Sequence, residues 1–288
     1  MAFDTARLIN QVNIKATLPQ GRYEPSEILD TAYDVLLSQM APLILNLKEE
    51  FYVTSSSQAI VAGTAAYPIP AGSYGLSLRE VKLISSTSVI DLARIDPTEV
   101  DSTSTGTPVS FYLEGQNVVL YPTPQAAGDT LKLSFFQTPS KPVLTTETAT
   151  ITAIDTGTGI VSCVPPSAWS TASRFDFVSR ENGHKTLGSY LTASAVAAGS
   201  ITFSVADLPA TLAVGDIVAL TGEASYIQIP DSCFPLMVQM TANEFLENLG
   251  DAGPLAVGLQ KAEQLKAGVV SFLGVRVLGA PKRSTISP

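Results

Sequence analysis

The chain has 288 residues, 45% of them apolar and 15% charged, with a formal net charge of −9. That apolar share supports a sizeable core and excludes global disorder, and the length fits one large domain or two modest ones. The acidic balance excludes a nucleic-acid reader, which needs basic patches to neutralise phosphate, although an acidic wall can still serve DNA by repelling it.

Met1-Ala2-Phe3-Asp4 carries no basic region followed by an apolar run, so no signal peptide is expected. No apolar run approaches the ~20 residues that span a bilayer, so no membrane contact is expected and synthesis in a cytoplasm is. Leu8, Ile9 and Val12 predict a short helix over residues 5–15, ended by Leu18-Pro19-Gln20-Gly21. Ser26 is the expected N-cap of the next helix, with Glu27 in its first turn. From there Leu29, Ala32, Tyr33, Leu36, Leu37, Met40, Leu43, Ile44 and Leu47 recur at three- and four-residue steps. Pro42 falls inside this run and should kink or split it.

Residues 51–142 read as an antiparallel β domain. Phe51 to Thr54 opens it, Tyr67-Pro68-Ile69-Pro70 is extended, Arg79 to Ile84 alternates, and Val89 to Ile95 follows a Ser/Thr turn. Pro97 to Val100 suits a helical turn, and Ser102-Thr103-Ser104-Thr105-Gly106 reads as a loop. The stretch from Thr107 to Phe136 alternates through Val109, Phe111 and Leu113, then Val118 and Leu120, then Leu131, Leu133 and Phe135. Turn residues at Glu114 to Asn117 and at Pro122 to Asp129 make a three-stranded meander the expected form.

Residues 143–228 carry short strands between Gly and Pro breaks: Thr148 to Ile154, Gly159 to Val164, Arg174 to Ser179, Ser200 to Val205 and Asp216 to Leu220. This spacing predicts an inserted small β-barrel or sandwich. Cys163 and Cys233 fit neither a disulfide framework nor a zinc motif, so two buried free thiols are expected. His184 has no ligand-spaced neighbours and reads as a surface or packing histidine.

Over residues 229–274, Asp231 or Ser232 is the expected cap of a helix with the stripe Phe234, Met237, Val238, Thr241, Phe245, Leu246 and Leu249, stopped by Gly250-Asp251. A second, antiparallel helix follows with Leu255, Leu259, Ala262, Leu265, Val269, Phe272 and Leu273. Residues 275–288 read as a short, extended, locally basic segment, either a frayed terminus or an arm that orders on a partner. Together these segments predict an α+β fold. The helices of residues 1–50 and 229–274 make one bundle beside the antiparallel domain of 51–142, with 143–228 inserted and 275–288 an arm.

Catalytic sets are not evident. Asp30 and Asp34 lie one turn apart and Glu49-Glu50 are adjacent, both on polar helix faces. No Gly-x-Ser-x-Gly elbow supports His184, and Asp155-Thr156-Gly157 reads as a turn between strands. No Walker loop, dinucleotide fingerprint or EF-hand loop occurs, so no enzyme, no cofactor and no metal are expected.

A Gly-x-Pro ending in Thr107-Pro108, the strand Tyr112-Leu113-Glu114-Gly115 and the turn Leu120-Tyr121-Pro122-Thr123-Pro124 resemble the head-to-tail adaptors of tailed phages, the connector-ring or tail tubular protein A-like family. The terminal helices, Tyr67 to Pro70, Leu78 to Ile84, Val214-Gly215-Asp216 and Ile229-Pro230-Asp231 extend the resemblance over most of the chain. It implies a virion component at the head–tail junction, forming a ring, typically twelve-fold, below the portal. That ring extends the channel for genomic DNA, which passes without sequence-specific contact, and docks tail or nozzle proteins. On this reading the arm reaches the portal protein through Val275, Arg276, Val277, Leu278, Lys282, Arg283 and Ile286. A head-completion stopper or tail-tube protein is the alternative, and a receptor- or glycan-binding module built on Trp169, Phe175, Phe177 and Tyr190 is another.

Overall fold

The computed structural model describes residues 3–18, 21–101, 103–181 and 183–274. The fold is mixed α+β, in two compact units. One unit is Glu50–Thr138, and the other joins the chain up to Glu49 with the chain from Pro139.

The first helix, α1 (Thr5–Ala16), is capped by Asp4, whose carboxylate accepts from Arg7 N–H at 2.8 Å. It buries Thr5, Leu8, Val12 and Ala16. Helix α2 (Pro25–Val35) starts before the expected Ser26 cap. Pro25 stands in the first turn, where a missing N–H is harmless, and Glu24 N–H donates to Glu27 Oε2 at 2.8 Å. The expected break at Pro42 takes the form of a π-helical turn, Leu36–Met40, leading into α3 (Ala41–Leu47). A proline at 42 cannot donate to the Ser38 carbonyl. The widened turn absorbs this, with Ala41 N–H donating to Leu36 C=O, and Met40 and Ala41 stay buried.

The unit Glu50–Thr138 contains β1 (Val53–Ala59), β2 (Ala66–Pro68), β3 (Ser73–Ile84), β4 (Val89–Asp91), β5 (Ala93–Arg94), β6 (Thr105–Gly106), β7 (Ser110–Glu114), β8 (Asn117–Tyr121), β9 (Thr123–Pro124) and β10 (Thr130–Gln137). They form sheets ordered β1-β10-β3-β4 and β2-β8-β7-β5, with β6 pairing β9 in parallel. The expected three-stranded meander is therefore two things. β7 and β8 make an antiparallel hairpin through Gly115, whose φ of 59° the turn requires. β10 leaves that sheet and lies between β1 and β3 of the other. Pro122 and Pro124 have no N–H to continue the ladder, and the short β6–β9 pairing carries the chain across. Thr105–Gly106, expected as loop, is thus paired. The alternation still reports burial, because the two sheets share one core. Val81, Leu83, Leu131 and Leu133 of one meet Tyr67, Phe111, Val118 and Leu120 of the other. Val109, expected inside, is 57% exposed because it precedes the strand.

In the other unit the chain continues through β11 (Lys141–Pro142), β12 (Ala149–Thr150), β13 (Ala153–Asp155), β14 (Ile160–Ser162), β15 (Arg174–Val178), β16 (Thr186–Ala197), β17 (Ser200–Phe203), β18 (Ile217–Leu220) and β19 (Glu223–Ala224). Seven of these form one sheet, ordered β12-β18-β15-β16-β17-β14-β13, over a core that includes Trp169, Phe175, Phe177, Ile201, Phe203 and Val218. The 12-residue β16 is absent from the sequence reading. Its Ala, Ser and Gly residues dilute the alternation, and register shifts interrupt its pairing with β15. Tyr190, at φ 60°, sits on this irregular stretch. Buried Asp176 pins it, accepting from Tyr190 N–H at 2.9 Å, Thr221 Oγ1 at 3.0 Å and Gly222 N–H at 2.9 Å. Burial pushes this carboxyl above its ordinary range while the three donors oppose the shift.

A 3-10 turn, Asp231–Cys233, and not a single capping residue, leads into α4 (Phe234–Leu249), with Pro235 in its first turn. The predicted stripe is buried through Leu246, and Gly250 closes the helix at φ 72°. Helix α5 (Ala252–Leu273) folds back onto it. α4 packs against α1, α2 and α5. Pro25–Leu47 has the length and mean hydropathy of a membrane span, contrary to the expectation that no run approaches one. Ile28, Leu29, Ala32, Val35, Leu36, Met40 and Ile44 are nevertheless buried and α2 packs on α4, as in a core helix.

β14 and β17 approach closely at Gly159. Phe203 N–H donates to Gly159 C=O at 2.9 Å, and a Cβ at Gly159 would run into the Phe203 carbonyl, at a residue whose φ is 76°. Gly159→Ala is expected to lower stability by about 2–5 kcal/mol, the sum of overpacking and left-handed strain. Denaturant unfolding of the full chain checks this, and an unchanged midpoint would contradict it.

Candidate functional site

Titratable side chains are dispersed. Among the described residues no group of three or more His, Cys, Asp or Glu could hold a metal ion. Asp155 accepts from the Thr158 hydroxyl at 2.7 Å and from Gly157 N–H at 2.9 Å, and these bonds hold its carboxyl below the usual range. It is a turn residue between β13 and β14, as its sequence suggests. Asp30 pairs with Lys141 at 2.7 Å on the surface, a contact that raises the lysine. Cys163 and Cys233 are free and buried, as expected, and burial pushes both thiols up to about 11, which leaves them unreactive.

Where the segment 143–228 meets the helices, the contacts are made by backbone and small polar groups. Thr5 N–H donates to Ser225 C=O at 2.9 Å and Thr5 Oγ1 to Val143 C=O at 2.8 Å. β11 and β19 pair in parallel beside them. Gln228 accepts from Ser140 N–H at 2.7 Å and donates to Thr186 Oγ1 at 3.0 Å. His184 belongs to the same joint. It is 3% exposed, has a φ of 58°, and stacks on Tyr226 with ring centroids 4.6 Å apart. Its Nδ1 lies 3.3 Å from Ser179 C=O, and its Nε2 is buried without a hydrogen-bond partner among the described residues. Burial pushes the imidazole below its ordinary range, more strongly than its backbone contacts and the carboxylates of Asp231 and Asp4 raise it. A packing role is what the sequence suggests and what this geometry fits.

The surface with most to offer a partner is the α4–α5 hairpin. Helix α5 buries only Gly258, Ala262, Val269 and Leu273, while Val257, Leu259, Val270 and Phe272 are exposed, Phe272 by 71%. The expected stripe thus fails at Leu259 and Phe272. Gly258 marks the point of close approach to α4. It lies directly on Asn243 Oδ1, an atom held by Gln239 Nε2 at 3.0 Å, and a side chain there would collide. Only Lys261, Glu263 and Lys266 carry charge among the 22 residues of α5. α5 therefore leaves several apolar side chains uncovered among the described residues. Beside its last turns lies an apolar hollow of about 220 Å³, lined by Ser232, Leu236, Gln264, Leu265, Gly268, Val269 and Phe272. Sequence reasoning did not single out this set, although the low charge of α5 is the signal that marks it. The predicted arm residues Val275, Arg276, Val277, Leu278, Lys282, Arg283 and Ile286 lie outside the described residues. Of the aromatic side chains proposed as a sugar platform, Trp169, Phe175 and Phe177 are core, and Tyr190 is exposed.

The sequence model of the family described as SU10 adaptor protein matches residues 25–173, more than half of the 288-residue chain. The match begins at the first residue of α2, takes in the whole unit Glu50–Thr138, and ends before β15. No curated protein matches the chain.

The joint is expected to be acid-sensitive through His184, the sole histidine. Because its pKa is depressed on folding, the stability it contributes is complete above the ordinary value of 6.5 and is lost as pH falls through the depressed one. Thermal melts at about pH 7.5 and about pH 5 should differ less for His184→Asn, which tolerates the left-handed backbone, than for the natural chain. An identical pH dependence would remove His184 from this role.

Proposed function

The chain belongs to the SU10 adaptor protein family, and from this we infer that it is a bacteriophage virion protein joining head to tail. Copies assemble head-to-tail into a ring beneath the portal, twelve-fold in the usual arrangement. The ring continues the channel for genomic DNA and presents a docking surface to tail or nozzle proteins. The protein works by shape and contact and not as an enzyme. The terminal helices form its bundle, 143–228 is an inserted β module, and 275–288 reaches into the portal.

The observation that carries this reading is the family match. Other features accord with it. With a net charge of −9, a wall facing DNA repels the phosphates and lets the duplex slide. The exposed apolar sides of α5 suit close subunit contact. The arm carries Arg276, Lys282 and Arg283 on an otherwise acidic chain.

Mass measurement of the purified protein, alone and mixed with assembled portal, tests this. The expected result is a portal complex carrying a fixed multiple of the subunit mass. A chain truncated after Gly274 should stay folded, by an unchanged melt, yet fail to join portal-bearing heads. Normal attachment by the truncated chain would reject the arm's role, and no portal complex with the full chain would reject the adaptor position itself.

A further inference from the structure

The sheet ordered β1-β10-β3-β4 ends on β1, a seven-residue strand that reads Val53-Thr54-Ser55-Ser56-Ser57-Gln58-Ala59. Its register against β10 runs without a bulge, from Val53 opposite Phe136 to Ala59 opposite Thr130. Just beyond the strand, Ile60 N–H donates to Asp129 C=O at 2.8 Å. Backbone groups alternate sides along an antiparallel strand. Thr54, Ser56 and Gln58 therefore turn theirs to β10, and Val53, Ser55, Ser57 and Ala59 turn theirs away. Among the described residues no strand lies on that side, and no backbone hydrogen bond leaves it.

Exposed edges are ordinarily blunted by charge, proline, a bulge or shortness. The other edges of the larger sheets follow that rule. β4 is three residues long and carries Asp91, β2 ends in Pro68, and β5 is two residues long and carries Arg94. β12 has two residues, and β13 has three, with Asp155 among them. β1 has none of these devices. It carries no charge, and Ser55, Ser57 and Ala59 on its outer face are small and exposed.

The strand fits a second copy of itself. Laid antiparallel about a two-fold axis at Ser56, it sets Val53 opposite Ala59 and Ser55 opposite Ser57 of the other copy. These are the residues whose N–H and C=O groups are turned outward. Thr54 then faces Gln58, and Ser56 faces Ser56, at the closer, non-hydrogen-bonded positions. The strand is uncharged, so no like charges meet. The centre also has an unmet demand of its own, because Ser56 Oγ is buried without a hydrogen-bond partner among the described residues. A buried hydroxyl left unpaired costs about 1–3 kcal/mol, and a serine directly opposite on the same face offers it a partner.

We propose that two free subunits pair through β1, joining their four-stranded sheets into one continuous sheet. A head-to-tail ring has no two-fold axis between neighbours, so this pair belongs to the subunit before it enters the ring. The pairing uses no residue of α5. It goes beyond the adaptor reading, which stands whether or not the pair forms.

Sedimentation equilibrium of the full chain without portal tests this, at loadings from about 1 to about 100 μM, where a weak pair forms. The natural chain is expected to reach twice the subunit mass. Ser55→Glu with Ser57→Glu sets like charges directly opposite on both sides of the two-fold axis. Ser55→Lys with Ser57→Glu sets opposite charges there. The first variant should pair at least ~10-fold more weakly than the second. Ser57 lies opposite Lys132 in its own sheet, so the change to Glu suits the fold of each subunit, and equal melts check this. Ser56→Cys should form a disulfide between copies at least ~10-fold faster than Ser86→Cys, on an exposed turn, since pairing raises the effective concentration. Cys163 and Cys233 are buried and do not compete. A natural chain that stays at the subunit mass would overturn the proposal. So would a pair equally tight in both charge variants, or no advantage for Ser56→Cys.

Discussion

Thr5 is the residue on which the larger unit depends. It is fully buried, with its N–H on Ser225 C=O and its hydroxyl on Val143 C=O. One residue at the start of α1, through its backbone N–H and its hydroxyl, therefore bonds both ends of the β segment that leaves near Val143 and returns near Ser225. A buried carbonyl left unmet costs about 1–3 kcal/mol, so these bonds fix the geometry more than they add net energy. Thr148 Oγ1 bonds Ser225 Oγ at 2.7 Å, Gln228 spans Ser140 and Thr186, and Ile227 N–H reaches Phe3 C=O at 3.3 Å. The chain can then run directly into α4, which the N-terminal helices and α5 cover. The two ends of this β segment are thus held close together within one compact unit.

That construction explains why the joint is lined by Thr, Ser and Gln. Small hydroxyl and amide side chains reach backbone groups without needing charge, and the same residues give the chain its low charged fraction. A protein that must seat many surfaces against neighbours gains from this, because each buried charge would need a partner. The uncovered sides of α5 and the hollow at its end are the places where the described structure stops short of satisfying its own apolar surface. For a member of an adaptor family, those are the surfaces to examine first.

Much of this was legible in the sequence, and the exceptions have physical causes. The α4 stripe, the break near Pro42, the Asp155 turn and the buried thiols follow from local chemistry, and each is seen. The β7–β8 hairpin was legible for the same reason. The assignment of β10 to a different sheet was not, since alternation tells which face is buried and not which strand lies alongside. β16 was hidden because its Ala- and Ser-rich pattern has little contrast, and because its irregular register is stabilised from another strand by Asp176. The face of α5 was misread in part because its contact with α4 is made by small residues such as Gly258 and Ala262, which a hydrophobic count underweights. The joint was invisible for a related reason: Thr5 and Ser225 are ordinary residues until the fold brings them together.

The central claim is that this chain is a repeated structural joint whose interfaces do the work. A density map of the assembled virion tests it most directly. The account predicts a closed ring of copies at the head–tail junction, with α5 buried between neighbouring molecules and no ligand held by converging polar groups. Copies found singly on a peripheral fibre, or absent from the particle, would contradict it.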